Sequence, residues 1–290
     1  MTLSETKTVV TPNPLRRYVR TSSLPTIFCT GCGGGTVLNC FCRAVDELGL
    51  DPKTMVMVTG IGCSSWIPSP YFLADTLHTT HGRAITFATG VRMMKPEMKV
   101  VVIAGDGDIS GIGGNHLIHA ARRNIGIKMI LINNGIYGMT GGQVSPLTPP
   151  SFYTETTPYG NIEPHFNVRK LLTAAEATFV ARETVNRLMQ LKQVIKKSFQ
   201  HKGFSVVEVM SNCHVNLGRR NKMKSPLVMT KYIRDITMSL ADFEKLSPEE
   251  QAPKYPLGIF VDESQRLEYT DLYYNHIVPV AQQAGAQGGN

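Results

Sequence analysis

The chain has 290 residues, of which 42% are hydrophobic and 18% are charged, and it carries a formal net charge of +8. This length and composition allow a large buried core, and no apolar run approaches the roughly 20 residues that a membrane helix needs. The first residues lack the pattern of a secretory signal, so we expect a cytoplasmic protein that binds no membrane. The positive charge is compatible with an acidic protein partner or with nucleic acid.

Short apolar runs alternate with amphipathic segments along most of the chain. In chain order they predict helix 33–49, strand 54–60, helix 82–94, strand 99–108, helix 113–124, strand 127–134, an irregular polar segment 135–165, helix 167–176, strand 177–182, helix 184–203 and strand 204–210. Such alternation is typical of an α/β fold, with a mostly parallel sheet flanked by helices on both faces. We expect a flexible N-terminal segment (1–20), a folded domain (21–225) and a C-terminal wrapping extension (226–290) with a disordered tail.

Four residues follow predicted strands at their carboxyl ends: Cys63, Asp106, Asn134 and Cys213. Ligands of open parallel sheets bind at this edge, where the strands end. Chance could place one or two chemically versatile residues there, but four indicate a single site region.

The loop that begins at Gly105 is rich in glycine and aspartate, yet it fits neither common nucleotide motif. Ser110 stands where the dinucleotide fingerprint needs its third glycine, and the Gly-Lys-Ser/Thr ending of a Walker loop is missing. A magnesium-diphosphate site fits better, because Mg²⁺ prefers oxygen ligands and commonly shares them with phosphates. Asp106 offers a carboxylate, and Asn134, 28 positions later, offers an amide oxygen. The glycines at positions 105 and 107 let backbone N–H groups approach phosphate oxygens.

Six cysteines without an export signal favour metal or redox chemistry over a disulfide framework. Cys29 and Cys32 form a C-x-x-C pair, whereas Cys63 and Cys213 are solitary. Four such thiolates suit either a [4Fe–4S] cluster or structural zinc, and the solitary positions favour the cluster, because zinc ribbons usually carry two close pairs. The cysteines at positions 40 and 42 lie in an apolar predicted helix, where we expect them to pack.

The GDG of residues 105–107, followed by the Asn133–Asn134 pair, resembles the thiamine diphosphate motif. The segment NNGIYGMTGGQVSPLTP, which starts at Asn133, resembles the loop of the 2-oxoacid:ferredoxin oxidoreductase β subunits. The resemblance extends from about Leu24 to Arg220 and implies a thiamine diphosphate and iron-sulfur binding domain in residues 21–225.

The same resemblance assigns residues to three cofactors. It implies Mg²⁺ on Asp106, Asn134 and the backbone carbonyl of Ile136, and a [4Fe–4S] cluster on the C-x-x-C pair and the two solitary cysteines. It also implies that thiamine diphosphate contacts a set of loop residues: Gly62, His81, Gly82, Gly105, Gly107, Asp108, Tyr137, Met139 and Thr140.

For activity, the resemblance implies oxidative decarboxylation of a 2-oxoacid with coenzyme A, the electrons passing through the cluster to ferredoxin. The segment NCHVNLGRRNK is similar to the 2-oxoglutarate branch, which implies conversion of 2-oxoglutarate to succinyl-CoA or the reverse carboxylation. Pyruvate or another 2-oxoacid is the alternative substrate. Gly141 replaces a lysine found in many relatives, which leaves binding of the substrate anion to a separate α subunit or to another residue, for which Arg83 and Arg219 are candidates.

Thiamine enzymes generally use a glutamate against the aminopyrimidine, and these motifs contain no convincing one. The resemblance therefore implies a separate α subunit that supplies it, in an (αβ)2 assembly. Alone, the chain is expected to hold cofactor and turn over little.

Two other functions use only part of these features. A thiamine-dependent decarboxylase or synthase that does not use ferredoxin would explain Asp106 and Asn134 but leave four cysteines idle. A zinc-stapled basic protein that binds nucleic acid would use the cysteines and the positive charge but leave the GDG and NN motifs unexplained. The chain also lacks the interleaved aromatic and basic residues of RNA-binding proteins.

Overall fold

The fold is built on one eight-stranded sheet, observed in a computed structural model that describes residues 13–287. In chain order the strands are β1 (Met55–Thr59), β2 (Asp75–His78), β3 (Lys99–Gly105), β4 (Ile127–Asn133), β5 (Phe179–Thr184), β6 (Ser205–Met210), β7 (Thr237–Ser239) and β8 (Tyr255–Asp262). Their order in the sheet is β2-β1-β3-β4-β6-β5-β8-β7. All neighbouring strands are parallel except β5 and β8, so the predicted, mostly parallel sheet is confirmed.

Helices connect the strands, as parallel pairing requires. They are α1 (Gly33–Glu47), α2 (Ala84–Met94), α3 (Gly114–Arg122), α4 (Val168–Ala174), α5 (Leu188–Gln200), α6 (Pro226–Ile236), α7 (Leu240–Phe243), α8 (Pro248–Gln251), α9 (Tyr269–Leu272) and α10 (Val278–Gln287). Among residues 13–287, none of these helices has both the length and the apolar character needed to span a membrane.

The central strands are buried on both faces, which is why they read as continuous apolar runs. Alternate residues of β3 point to opposite faces, where they join two different core clusters. Val101 and Ile103 pack with residues of α1 and α5, whereas Val100 and Val102 pack with residues of α2, α3 and α4. The cysteines at positions 40 and 42 are buried in the first cluster, so their predicted packing role is confirmed.

The helices and strands predicted between residues 33 and 210 are present, with boundaries that differ by a few residues. The strand predicted at 177–182 is β5, and the helix predicted at 184–203 is α5. The strand predicted at 99–108 ends at Gly105, and a helical turn from Gly107 to Ile112 follows it. Strand β2 was not predicted, because its residues are largely exposed and show no apolar alternation.

Both ends of the described chain contain secondary structure that the sequence did not predict. The helical turn Pro14–Tyr18 lies in the segment predicted to be flexible, and it buries Leu15 and Tyr18. The tail predicted to be disordered from residue 281 is helical as far as Gln287, in α10. The extension also adds β7 and β8 to the sheet, so it does more than wrap the domain. The rest of the two predicted segments, residues 1–12 and 288–290, lies outside the described residues.

Candidate functional site

Strands β1, β3, β4 and β6 are consecutive neighbours in the sheet, and each is followed by one of the singled-out residues. Cys63 follows β1, Asp106 follows β3, Asn134 follows β4, and Cys213 follows β6. Because the four strands are parallel, their carboxyl ends meet at one edge. The fold therefore brings the predicted diphosphate loops and two of the predicted cluster ligands together.

A cleft with an empty volume of about 390 Å³ opens at this edge. It is lined by eleven of the residues predicted for magnesium or thiamine diphosphate: Gly62, His81, Gly105, Asp106, Gly107, Asp108, Asn134, Ile136, Tyr137, Met139 and Thr140. Cys63 lines the same cleft, and so do Ile61, Ser64 and Gly138, which the sequence did not single out.

Asp106 is the most buried acidic group of the cleft, with 1% of the residue exposed. The Ser145 hydroxyl donates to its Oδ2 atom. Burial raises the pKa of Asp106 to about 7, against smaller lowering effects from the hydrogen bonds of Ser145 and of nearby backbone N–H groups. No cationic side chain in residues 13–287 pairs with this carboxylate. A buried carboxylate without a cationic partner is a suitable ligand for a divalent ion, whose charge offsets the cost of burial.

Asn134 lies beside Asp106 at the end of the adjacent strand β4. Its Oδ1 atom accepts a hydrogen bond of 3.2 Å from the backbone N–H of Ile136. An amide oxygen has two lone pairs, so one remains for a metal ion. Gly135, between them, has φ 70°, a conformation that favours glycine and turns the chain sharply after β4. Asn134 and Ile136, on either side of this turn, both line the cleft.

Gly107 is held against the ring of Tyr137. A Cβ atom at Gly107 would lie 2.4 Å from the Tyr137 Cζ atom, and the Tyr137 hydroxyl donates to the Gly107 carbonyl at 2.8 Å. Glycine is therefore required here for close packing of the two loops, and this packing shapes the floor of the cleft.

Asp108 joins the glycine-aspartate loop to the loop that contains His81. Its Oδ1 atom lies 2.7 Å from His81 Nδ1 and accepts the backbone N–H of Gly82 at 2.7 Å. Its Oδ2 atom is buried without a hydrogen-bond partner among the described residues. Asp108 therefore positions His81 in the cleft. The Gly82 N–H group donates to Asp108, and Gly82 is not part of the cleft lining, so its role at the diphosphate stays a prediction.

The cysteine-bearing loops converge beside this cleft. A Cβ atom at Gly138 would lie 3.6 Å from Cys213 Sγ and 3.8 Å from Cys63 Sγ, so both sulfurs flank one glycine of the cleft. The loop of Cys29 and Cys32 is tied to the Cys213 loop by Asn212, whose Nδ2 atom donates to the Gly31 carbonyl at 2.9 Å.

The thiols also influence one another through charge. Burial, with smaller contributions from Cys213, Cys32 and Cys29, raises the pKa of Cys63 to about 12. Burial likewise raises the pKa of Cys32 and of Cys213. Within residues 13–287, no three His, Cys, Asp or Glu side chains are placed to ligate one metal ion.

The two arginines predicted for substrate binding lie outside the cleft lining. Arg83 is exposed, and its Nη1 atom lies 3.3 Å from His116 Nε2. Arg219 is also exposed.

The adjacent Arg220, which the sequence did not single out, pairs with Glu155, and its Nη1 atom is buried without a partner among the described residues. It packs against Gly142, in the loop that continues from the cleft.

Ser145 and Ser64 are functional candidates that the sequence did not reveal. Ser145 lies in the irregular segment 135–165 and reaches Asp106 only through the fold. Ser64 lies next to Cys63, and its Oγ atom is 3.2 Å from the position of a Cβ atom at Gly105. The S-P sequence within the resembling loop was the available signal for Ser145, whereas nothing local marked Ser64.

Comparisons with known proteins agree with this geometry. Residues 60–209 match the family described as thiamine pyrophosphate enzyme, C-terminal TPP binding domain. The 2-oxoglutarate synthase subunit KorB of Methanothermobacter marburgensis is 47% identical over 268 residues, which cover 92% of this chain and 93% of that protein. The subunit of the same name from Methanocaldococcus jannaschii is 48% identical over 250 residues, covering 86% of this chain and 92% of that protein.

A solved structure extends the similarity to the whole fold. The 2-oxoglutarate:ferredoxin oxidoreductase from Magnetococcus marinus, with 2-oxoglutarate, coenzyme A and succinyl-CoA bound, superposes with a TM-score of 0.80. The identity is 30%, and the match covers 96% of this chain and 93% of that one.

Proposed function

Since this chain belongs to the 2-oxoacid:ferredoxin oxidoreductase β-subunit family, we propose that its enzyme converts 2-oxoglutarate and coenzyme A to succinyl-CoA, or runs the reverse carboxylation. The observation that carries the proposal is the single sheet edge that joins the Asp106–Asn134 cleft to the cysteine loops. The choice of 2-oxoglutarate is supported by the names of the similar subunits from both methanogens.

Magnesium and thiamine diphosphate fit the cleft. Asp106, Asn134 and the carbonyl of Ile136 would hold the ion, which would in turn hold the diphosphate. Because Gly105 and Gly107 have no Cβ atom, phosphate oxygens could approach the backbone N–H groups of this loop closely. When bound, thiamine diphosphate supplies the carbanion chemistry that lets a 2-oxoacid lose CO₂.

This chain's own residues would bind and orient the cofactor. Asp108 fixes the ring of His81, which projects into the cleft and can contact the diphosphate. Tyr137 holds the Gly107 loop in place. Met139 and Thr140, which are exposed at the cleft mouth, would cover the cofactor from the other side. Arg83 and Arg219 stay candidates for substrate binding only if a partner subunit extends the site toward them.

A [4Fe–4S] cluster fits the cysteines at positions 29, 32, 63 and 213. A cluster binds each thiolate to a different iron atom, so its four ligands need not converge on a single ion. Iron would also offset the cost of burying Cys32, Cys63 and Cys213, whose pKa values are raised mainly by burial and to a smaller extent by the neighbouring thiols. Because Cys63 lines the cleft, a cluster on these cysteines would lie next to the thiamine site, where it could accept electrons.

The partners follow from the same reasoning. An α subunit would contribute the glutamate that the described motifs lack, in an (αβ)2 assembly. Ferredoxin would take the electrons. Cytoplasmic location stays a prediction from the sequence. A thiamine decarboxylase without an electron acceptor remains the second candidate, and it would give the four cysteines no role.

The test is a substrate panel on the enzyme assembled with its partner subunits. Turnover with coenzyme A and methyl viologen would be measured for 2-oxoglutarate, pyruvate and 2-oxobutyrate. We expect the highest kcat/KM for 2-oxoglutarate, with succinyl-CoA as product. Preference for pyruvate would overturn the substrate assignment, and turnover that needs neither coenzyme A nor viologen would favour the decarboxylase.

A further inference from the structure

We propose that an exposed basic surface beside the Cys29–Cys32 loop is the docking site for an acidic one-electron carrier protein. This basic surface consists of Arg219, Lys222, Lys224, Lys231 and Arg234. The inference rests on the proposed function, because it gives the electrons of the iron-sulfur cluster their route out of the enzyme.

The basic surface is a concentration of positive charge in an otherwise mixed surface. All five side chains are exposed. The chain contains no Asp or Glu between Glu208 and Asp235. Among the described residues, only Arg234 of the five makes an ion pair, at 3.7 Å with Asp235. The remaining cations are free to attract an acidic partner over a distance of about 10 Å at moderate salt.

A tight turn presents the first three cations to solvent. The Met223 N–H donates to the Gly218 carbonyl at 2.7 Å, and a Cβ atom at Gly218 would lie 2.4 Å from the Met223 carbonyl oxygen. Lys222, at the tip, has φ 60°, in the left-handed region. The backbone of this turn is thus closed on itself, and its basic side chains point away from the core.

Helix α6, which follows the turn, begins in contact with the C-x-x-C loop. A Cβ atom at Gly31, one of the two residues between Cys29 and Cys32, would lie 2.6 Å from the Pro226 Cγ atom. Asn212 binds the Gly31 carbonyl from the other side. Cys29 is exposed, whereas the other three cysteines of the proposed cluster are partly buried. A carrier seated on the basic surface would therefore meet the cluster at its most accessible ligand.

Two exposed apolar side chains adjoin the Pro226–Gly31 contact along the chain. Leu227, next to Pro226, is 80% exposed, and Ile27, in the segment that leads to Gly31, is 59% exposed. Exposed apolar side chains beside charged ones suit a transient protein interface, and electron-transfer encounters are at the small end of interface sizes. Each encounter would pass one electron from the reduced cluster to the oxidised carrier, so two encounters would complete the two-electron oxidation of a 2-oxoacid.

The test reverses two charges in the assembled enzyme with the substitutions Lys222→Glu and Lys224→Glu together. An acidic ferredoxin and methyl viologen serve in turn as electron acceptors, at low and at high salt. The matched control reverses Lys53→Glu and Lys99→Glu, two exposed lysines at the opposite edge of the sheet, at the amino ends of β1 and β3.

We expect the Lys222/Lys224 pair to lower kcat/KM for ferredoxin about tenfold at low salt, because charge steering of this kind governs association rates. The loss should shrink at high salt, and viologen-linked turnover and iron content should not change. The docking site would be overturned if kcat/KM for ferredoxin fell equally in the Lys222/Lys224 and Lys53/Lys99 variants, or fell in neither. Absence of viologen-linked oxidation in the unsubstituted enzyme would instead contradict the proposed function.

Discussion

At the scale of single residues, burial of the charged Asp106 carboxylate has a free-energy cost that a bound cation would offset. This burial raises the pKa of the carboxylate to about 7. The substitution Asp106→Asn keeps the shape and removes the charge. We expect the cofactor-free chain to keep or raise its Tm, while magnesium-dependent binding of thiamine diphosphate weakens at least about tenfold.

Calorimetric titration of thiamine diphosphate at fixed Mg²⁺, together with thermal unfolding, measures both effects. The exposed Asp51→Asn is the control. A cofactor affinity equal to that of the unsubstituted protein would exclude Asp106 as a metal ligand.

Gly107 offers a second test at the same scale, because its contact with Tyr137 leaves no room for a side chain. The substitution Gly107→Ala would force the ring to move, since its Cβ atom would lie 2.4 Å from Cζ. We expect a loss of about 1–3 kcal/mol in unfolding free energy, as for other overpacked sites, and much weaker cofactor binding. Gly35→Ala is the matched control: it lies in α1, where nothing is within 4 Å of the added atom.

Urea unfolding followed by circular dichroism would give the two free energies. The control should be neutral or stabilising, because alanine is a better helix former than glycine. If Gly107→Ala unfolds at the same urea concentration as Gly35→Ala, the packing described for Tyr137 is incorrect.

At the scale of elements, a buried glutamate fastens the C-terminal extension to the sheet. Glu268 is 1% exposed, accepts the Gly126 N–H at 2.6 Å, and pairs with Arg92 at 3.4 Å. Removing one partner of a buried pair leaves the other uncompensated, so Glu268→Ala should cost about 3–5 kcal/mol. The exposed Glu263→Ala should change stability by less than about 0.5 kcal/mol.

Thermal unfolding of both variants distinguishes an anchored extension from a loosely attached one. Limited proteolysis should also release the segment after residue 265 faster in Glu268→Ala. Equal Tm values for the two variants would contradict the anchor.

The same scale shows which parts of the fold the sequence could reveal. Strands β1, β3, β4 and β6 were predictable because both of their faces are buried, and this produces apolar runs such as Val100–Ile103. Strand β8 was not, because Pro256 and Gly258 interrupt its pattern at the edge of the antiparallel pair. Its position depends on pairing with β5, which no local pattern encodes.

In the site, too, some residues could be predicted from the sequence and others could not. The place of Asp106 and Asn134 at this edge was predictable because each one directly follows a strand, and that of Cys63 because it lies in the loop after β1. Ser145 was not, because it lies 39 positions after Asp106, in the irregular segment 135–165, and reaches it only through the fold. Gly82 was assigned to the diphosphate from its neighbours, yet its N–H group is bound by Asp108, a contact that only the folded structure reveals.

At the scale of the whole molecule, the chain holds cofactor-binding loops but no convincing thiamine-activating glutamate in its motifs. We expect the isolated chain to bind thiamine diphosphate and its cluster while turning over 2-oxoglutarate at less than about 1% of the assembled rate, since activation of the cofactor would need the partner's carboxylate. Viologen reduction by the chain with and without the α subunit measures this. Robust turnover by the chain alone would contradict the proposal that a partner subunit supplies the activating carboxylate.

We propose that one sheet edge holds both a thiamine diphosphate site and an iron-sulfur cluster. The most direct measurement is the content of iron, acid-labile sulfide, zinc and thiamine diphosphate in the native assembly, purified without oxygen. We expect about four iron and four sulfide per copy of this chain, beyond any clusters of its partners, together with one thiamine diphosphate. Zinc without sulfide or thiamine would contradict it.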